Sequence, residues 1–191
     1  MRTLRPTFIV GIGGLAGGLN AYKALLNSLP SDSGMAFVIV SHILPSATSQ
    51  LAEILSRHTR MPVKVAATAM PVRRNRVYVC PPNADLRVEN QLFQVVSPRV
   101  KRYVAVDVFF ISLAKAMGAQ AIGVVLSGYD RDGSEGCRQI KAMGGITFAQ
   151  DQSAEVRDMP LNAQASGCID FVLPPAGIAD ELQRIGKQSG Q

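Results

Sequence analysis

Residues 7–18 join a short apolar run to a glycine-rich segment, and this combination restricts the possible folds more than any other stretch. Residues 7–10 predict a buried strand, and five of the eight residues at 11–18 are glycine, which predicts a tight turn. Residues 19–29, rich in alanine and leucine, predict a helix directly after it. A strand, turn and helix in this order present backbone N–H groups to a ligand or an oxyanion. We therefore expect a site at residues 11–18.

The rest of the chain alternates apolar strands with helices. Strands are predicted at residues 35–42, 63–65, 77–80, 121–126, 146–149 and 171–173, with a hairpin at 86–96. Helices are predicted at residues 49–58, 108–117, 135–143 and 175–185. This alternation predicts an α/β fold, a mostly parallel doubly wound sheet of the Rossmann-like three-layer α/β/α type, with an added antiparallel hairpin. We expect one domain over residues 1–191, with its core at about 7–185.

Composition excludes several classes of protein. The 191 residues contain no apolar run of the roughly 18 residues that a membrane span needs, and the N-terminus does not resemble a signal peptide. Three scattered cysteines, Cys80, Cys137 and Cys168, argue against a disulfide framework and predict buried thiols in a reducing compartment. We therefore expect a cytoplasmic protein.

The formal net charge is +6, and basic residues cluster at 73–76 and 99–102. No aromatic residues alternate with these clusters in the manner of a nucleic-acid surface. A solvated face, or a docking surface for an acidic protein, is the better interpretation. We expect no nucleic-acid partner.

Three strand ends carry candidate functional groups: the glycine segment, the pair Ser41-His42, and the loop 127–133 with Asp132. Sites in parallel α/β sheets lie beyond the carboxyl ends of the strands. A histidine and a carboxylate that converge on a glycine turn have the geometry of a base, its orienting acid and an oxyanion hole.

The glycine segment, the histidines and the acids near residue 132 also fit other interpretations. The glycine segment fits the loose dinucleotide-binding pattern, but the next strand ends in His42 rather than the acid that binds a ribose. His58 fits a surface or capping role at a helix end. Asp130, Asp132 and Glu135 also suit a turn and a helix start, so spacing alone does not decide whether His42 and Asp132 form a pair.

Residues 8–182 resemble the catalytic domain of CheB, the chemotaxis protein-glutamate methylesterase, especially the version fused or paired with CheR-type methyltransferases. The segment 123–128 followed by Asp132-Gly133 is the most specific motif. The other motifs are at residues 10–13, 16–19, 40–42, 78–79, 81–83, 106–110, 149–151 and 159–160. The resemblance implies hydrolysis of glutamate methyl esters on chemoreceptor helices, deamidation of receptor glutamines, and no metal or cofactor.

The resemblance also assigns roles to residues of a Ser–His–Asp site. His42 falls on the general base, Asp132 on its orienting acid, and the backbone N–H of Tyr129 on an oxyanion-hole donor. Ala16, Gly17 and Met159 fall in the oxyanion hole and substrate loop. The family's nucleophilic serine is replaced here by Leu15.

Leucine can neither attack a carbonyl nor give a proton to His42, so the acyl-enzyme route is closed. Loss of a triad member costs on the order of 10⁴ to 10⁶ in turnover. Ser41 and Ser127 are poor substitutes, and a water activated by His42 and Asp132 would act slowly. Two hypotheses follow: an impaired methylesterase, or an inactive pseudoenzyme that binds receptor helices or a methyltransferase.

The expected partners are the methylated cytoplasmic helices of chemoreceptors, with a CheR-type methyltransferase or a separate receiver protein as further candidates. Stand-alone family members carry an N-terminal receiver domain, and we expect none in this chain. Asp158 replaces a glycine that often precedes Met-Pro in the family, on a loop expected near the site.

Overall fold

The computed structural model describes residues 4–15, 17–41 and 48–190, with the backbone alone at 48 and 49. These ranges contain strands β1 (Ile9–Gly14), β2 (Ala36–Ser41), β3 (Val63–Val65), β4 (Arg76–Val79), β5 (Asp85–Glu89), β6 (Leu92–Val96), β7 (Ala121–Val125), β8 (Ile146–Gln150) and β9 (Phe171–Leu173). The helices are α1 (Gly18–Ser28), α2 (Thr48–Ser56), α3 (Ala105–Met117), α4 (Ser134–Ala142), α5 (Asp158–Ala165) and α6 (Pro175–Gln188).

Seven of these strands form one parallel sheet in the order β3-β4-β2-β1-β7-β8-β9. Strand β1 lies near the middle, with Gly14 opposite Ser41 of β2 and Gly13 opposite Val125 of β7. The chain continues from β1 to one side of the sheet and later returns to the other. The carboxyl end of β1 is therefore the switch point at which ligands bind in such sheets.

Helices cover both faces of the sheet. On one face α1, α2 and α6 enclose an apolar cluster that includes Leu25, Phe37 and Leu182. On the other face α3, α4, α5 and the hairpin β5–β6 enclose a second cluster around Phe109 and Phe110. The predicted three-layer α/β/α fold with an antiparallel hairpin is confirmed.

Strand β1 is longer than the sequence predicts. We expected a strand at residues 7–10 and a turn from residue 11, whereas the strand runs through Gly14 and is buried throughout. Larger residues would not fit at these glycines, because neighbouring side chains occupy the space where a Cβ would lie. A Cβ at Gly11 would lie 2.8 Å from Phe110 Cε1, and one at Gly14 would lie 2.5 Å from the Tyr22 hydroxyl. These glycines serve close packing of helices on the sheet, and the turn begins only at Leu15.

Helix α5 was not predicted, and the expectation that Asp158 and Met159 lie on a loop is wrong. Asp158 begins the helix, and Met159 in its first turn is fully buried. The short helix has little amphipathic pattern, which hides it from a search for periodicity. Pro160 is accommodated because the first turn leaves its N–H positions without intrahelical partners.

Three further sequence predictions concern the hairpin, the cysteines and membrane-spanning helices. The hairpin is confirmed, with Asn90 and Gln91 in the left-handed conformation that a tight hairpin turn uses. Cys80 and Cys137 are buried free thiols, and Cys168 is a half-buried free thiol. Among the helices of the described ranges, none has the length and apolar character to cross a membrane.

Helix α4 is capped by a side chain from another helix. Asp107, in the first turn of α3, accepts hydrogen bonds at Oδ1 from the backbone N–H groups of Gly133 and Gly136, at 2.9 and 2.7 Å. Burial raises the pKa of this carboxyl from 3.8 to about 6, although the Gly136 hydrogen bond opposes the shift; the nearby Asp132 adds to it. The cap therefore joins α3 and α4 at the cost of a partly buried charge.

The pKa of Asp107 generates a prediction about stability and pH. The folded chain holds the Asp107 proton up to about pH 6, whereas the unfolded chain releases it near pH 3.8. The contribution of this group to stability is therefore present below pH 3.8 and is lost as the pH rises through about 6. Asp107→Asn keeps an Oδ1 acceptor for both N–H groups but carries no charge.

We expect Asp107→Asn to match the parent at pH 4 and to melt higher at pH 7. Solvent screening limits the gain to about 1 kcal/mol, or about 2–4 °C in a chain of this length. Thermal unfolding followed by circular dichroism at both pH values measures the difference. Asp107→Ala is the matched control, and it should melt lower than the parent at both pH values because the cap is lost. A parent that melts above Asp107→Asn at pH 7 would contradict the prediction.

Candidate functional site

Three predicted segments meet at the carboxyl ends of adjacent strands. Leu15 directly follows β1, Ser41 ends β2, and Ser127 lies just after β7. The pairing of β1 with both neighbours places these segments side by side at the switch point of the sheet. Two predicted site residues, His42 and Ala16, lie outside the described residues.

Leu15 is held in place through its backbone. Its N–H donates to the Ser127 carbonyl at 2.9 Å, and its own carbonyl accepts from the Gly18 N–H at 3.1 Å. Gly17 between them has φ 71°, a left-handed conformation that suits glycine. The half-buried Leu15 side chain packs against the α3-side cluster. Residue 15, the predicted nucleophile position, thus carries an apolar side chain on a backbone held by two hydrogen bonds.

Gly128 and Met159 adjoin Leu15. A Cβ at Gly128 would lie 2.9 Å from Leu15 Cβ and would collide with Met159 Sδ. Backbone hydrogen bonds fix this contact, from Gly128 N–H to the Val156 carbonyl at 3.0 Å and from Met159 N–H to the Gly128 carbonyl at 2.9 Å. The loop after β7 and the start of α5 therefore form one wall beside Leu15.

Tyr129 follows Gly128 with its side chain 57% exposed. Within the described ranges, no carbonyl or side chain accepts a hydrogen bond from its backbone N–H. An oxyanion hole requires backbone N–H groups that are available to a substrate oxygen. The oxyanion donor at Tyr129 stays a prediction.

Asp132 is buried, and both of its carboxylate oxygens accept backbone hydrogen bonds. Oδ2 accepts from Val106 N–H at 3.0 Å and Oδ1 from Asp107 N–H at 2.8 Å, so the carboxylate caps α3. The Val106 side chain fills the space that a Cβ at Gly13 would occupy. The acid is therefore tied to the end of β1 through one residue of α3.

The described hydroxyl groups near Leu15 are poorly suited to replace a serine nucleophile. Ser127 is fully buried, and its Oγ accepts a hydrogen bond from Val156 N–H at 2.9 Å. The Tyr22 hydroxyl is also buried, beneath Gly14. Burial raises its pKa above the ordinary value, and the Ser41 hydroxyl opposes this shift to a smaller extent. A phenol held protonated is a weak nucleophile.

Glu155 is a neighbour of the site that the sequence interpretation missed. Its carboxylate accepts from Asn20 Nδ2 at 2.6 Å, and its Oε2 lies 2.9 Å from the Cβ position of Gly17. An exposed carboxylate thus lies over the N-terminus of α1, where the helix dipole favours negative charge. No sequence pattern indicates this contact, because Asn20 and Glu155 are separated by 135 positions.

The site therefore combines a buried acid, a backbone N–H at Tyr129 that has no acceptor among the described residues, and an apolar residue at position 15, where a nucleophile is predicted. In the described part of the chain, no three His, Cys, Asp or Glu side chains group as metal ligands. The described groups suit the polarisation of an ester carbonyl. They do not include a nucleophile at residue 15.

Comparison with known proteins shows extensive similarity. The family profile described as CheB methylesterase matches residues 10–182. The Burkholderia orbicola protein named "Protein-glutamate methylesterase/protein-glutamine glutaminase 3" is 37% identical over 182 residues, which cover 93% of this chain and 53% of that protein. A Leptospira interrogans protein named "Putative protein-glutamate methylesterase/protein-glutamine glutaminase" is 33% identical over 182 residues, 93% of this chain and 94% of that protein.

The fold is similar to a solved structure. The crystal structure of the Thermotoga maritima CheB methylesterase catalytic domain superposes with a TM-score of 0.85 at 27% identity, covering 93% of this chain and 98% of that one. The chain spans about half the length of the Burkholderia and Cupriavidus proteins that it matches. From the profile match, the relatives and the shared fold, we conclude that the chain belongs to the CheB methylesterase family.

Proposed function

We propose that this chain is a chemotaxis-type protein-glutamate methylesterase domain whose hydrolytic activity is impaired because Leu15 occupies the nucleophile position. The expected substrate is a glutamate methyl ester on a chemoreceptor helix, which suits a cytoplasmic location. The observation that carries the proposal is the placement of Leu15 on the turn after β1, beside Gly128 and Met159.

The surroundings of Leu15 support impairment rather than loss of the whole site. Leu15 N–H is hydrogen-bonded to Ser127 in the loop after β7, and Tyr129 and the buried Asp132 lie on that same loop. A serine at position 15 would inherit this backbone without rearrangement. The predicted base, His42, is retained in the sequence.

Without a serine, the remaining route is direct attack by water. In this proposal His42 accepts a proton from the water as the oxygen attacks the ester carbon, and Asp132 stabilises the resulting imidazolium. The Tyr129 N–H donates to the developing oxyanion. Collapse of the tetrahedral intermediate breaks the ester C–O bond, and methanol leaves with the proton from His42. Glutamate and methanol are the products.

The alternative is a pseudoenzyme that binds receptor helices, a CheR-type methyltransferase or a receiver protein without hydrolysis. The packing of Leu15 against the α3-side cluster favours this alternative, because the apolar side chain contributes to the core and occupies space beside the oxyanion donor. Asp132 also has a capping role that does not require catalysis.

One prediction of the proposed function concerns Leu15→Ser. We expect little methanol release from a methylated receptor fragment by the parent, and an increase on the order of 10³-fold or more in the variant, because the acyl-enzyme route reopens. Loss of a half-buried leucine should lower stability by about 1–2 kcal/mol, so the assay is run well below the melting temperature.

Leu15→Ala is the matched control, since it removes the same apolar contacts without adding a hydroxyl. It should remain silent, and His42→Ala should abolish the gain in the serine variant. Parent activity that depends on His42 and equals that of the serine variant would contradict impairment. Parent binding to the methylated fragment, with Leu15→Ser also silent, would instead favour the pseudoenzyme.

A further prediction tests whether Asp132 stabilises the fold, independently of any catalytic role. In Asp132→Asn one carboxylate oxygen becomes an NH2 group that faces a backbone N–H of α3. We expect a loss of about 1–3 kcal/mol in unfolding free energy even in the parent background, measured by urea denaturation. Asp151→Asn is the control, because its Oδ1 can still accept from Ser153 N–H. Equal stability of Asp132→Asn and the parent would disprove the capping role.

A further inference from the structure

The basic run at residues 73–76 has no part in the proposed reaction, and the structure gives it a defined position. Arg73, Arg74 and Arg76 line one cavity of about 440 Å³ together with Arg60. We call this the arginine cavity; its other lining residues are Leu4, Ser31, Met61, Pro62 and Asn75. It lies at the amino ends of β3 and β4, whereas Leu15 lies at the carboxyl end of β1, on the opposite end of the sheet.

The turn that carries three of the arginines is fixed by its backbone. Arg73 N–H donates to the Tyr78 hydroxyl at 2.9 Å, Arg74 N–H to the Leu4 carbonyl at 3.1 Å, and Asn75 N–H to the Met35 carbonyl at 2.7 Å. Asn75 has φ 59°, and its Oδ1 accepts from Gly34 N–H at 2.8 Å. Three consecutive backbone N–H groups therefore donate hydrogen bonds to other parts of the protein, and the arginine side chains extend from a preorganised backbone.

Among the described residues that line the arginine cavity, none is Asp or Glu. The described part of the chain has ion pairs at other cations, namely Arg57, Arg138, Lys141 and Arg184. Four guanidinium groups around one concavity repel each other and raise the local concentration of anions. Such an arrangement is stabilised by a ligand with several closely spaced negative charges.

Guanidinium groups have a planar fork of donors that matches phosphate oxygens, and the volume is within the range of small-molecule sites. No aromatic side chain lines the cavity on which a nucleobase could stack. We propose that the arginine cavity binds an oligophosphate anion, through its phosphates, at a site separate from the catalytic edge. The phosphates can come from an inorganic oligophosphate or from a nucleoside triphosphate.

Isothermal titration calorimetry of the full chain at low salt tests this proposal with two probes, inorganic tripolyphosphate and a nucleoside triphosphate. We expect saturable one-site binding of both. Comparable affinities would assign binding to the phosphates alone, and tighter binding of the nucleotide would assign part of it to the nucleoside. Affinity should fall as salt rises, because the contacts are ionic.

Arg60→Ala/Arg73→Ala should weaken binding by about tenfold or more, since each arginine supplies charge-assisted hydrogen bonds. Both side chains are exposed, so the fold should tolerate their removal. Arg87→Ala/Lys115→Ala is the matched control: it removes the same charge from exposed positions that line a different cavity. Its affinity should stay within about twofold of the parent. Arg60→Lys/Arg73→Lys keeps the charge, loses the fork and should bind with intermediate affinity.

Three results would overturn the proposal. The first is an absence of saturable binding by either probe at low salt. The second is an equal loss in the two double variants, which would show attraction to net charge alone. The third is displacement of tripolyphosphate by an acidic peptide at lower concentrations than by the nucleotide, which would make the surface a docking site for an acidic protein. Methanol release is not used as a readout, so the proposed function is tested separately.

Discussion

The contact between Phe110 and three glycines determines how closely the second helical layer approaches the sheet. Phe110 is fully buried, and its atoms fill the Cβ positions of Gly11 on β1, Gly123 on β7 and Gly136 on α4. A methyl group at Gly11 or Gly123 would push α3 away from the sheet, and one at Gly136 would push α4 away from α3, since interiors have little free volume. The seating of α3 in turn determines where its N-terminus lies, and therefore where Asp132 binds.

The two carboxylate caps connect α3 and α4 to the loop after β7, next to the proposed site. Asp132, from the loop after β7, binds the first turn of α3, while Asp107, from that same turn, binds the N-terminus of α4. Burial is the main cause of the raised pKa of Asp107, and the nearby Asp132 carboxylate adds to it. The helix N-termini provide the compensating positive field. The acid of the proposed site thus owes its position to the packing of α3 against β1.

Much of this fold could be predicted from the sequence, because continuous apolar strands alternate with helices. The features that depend on which side chains meet in the folded structure could not be predicted from the sequence. Gly11, Gly13 and Gly14 read as a turn because glycine usually marks one, whereas here the strand continues and side chains from α1 and α3 fill the space. Helix α5 was missed because it has almost no apolar face, and the contact of Glu155 with Asn20 has no local signature. Of the predicted site, Leu15, Tyr129, Asp132 and Met159 lie on adjoining segments at one edge, while His42 and Ala16 lie outside the described residues.

Both oxygens of Asp132 accept hydrogen bonds from α3, and this capping role affects how such chains change over evolutionary time. A residue that caps a helix is under selection for folding whether or not the protein turns over a substrate. Leu15 contributes to folding through its backbone hydrogen bonds and the apolar contacts of its half-buried side chain, and that side chain caps no helix. If residue 15 is the nucleophile position, as proposed, a loss of hydrolysis leaves the selection on Asp132 as the cap of α3 in place. An aspartate after β7 is therefore by itself a poor indicator of an active esterase.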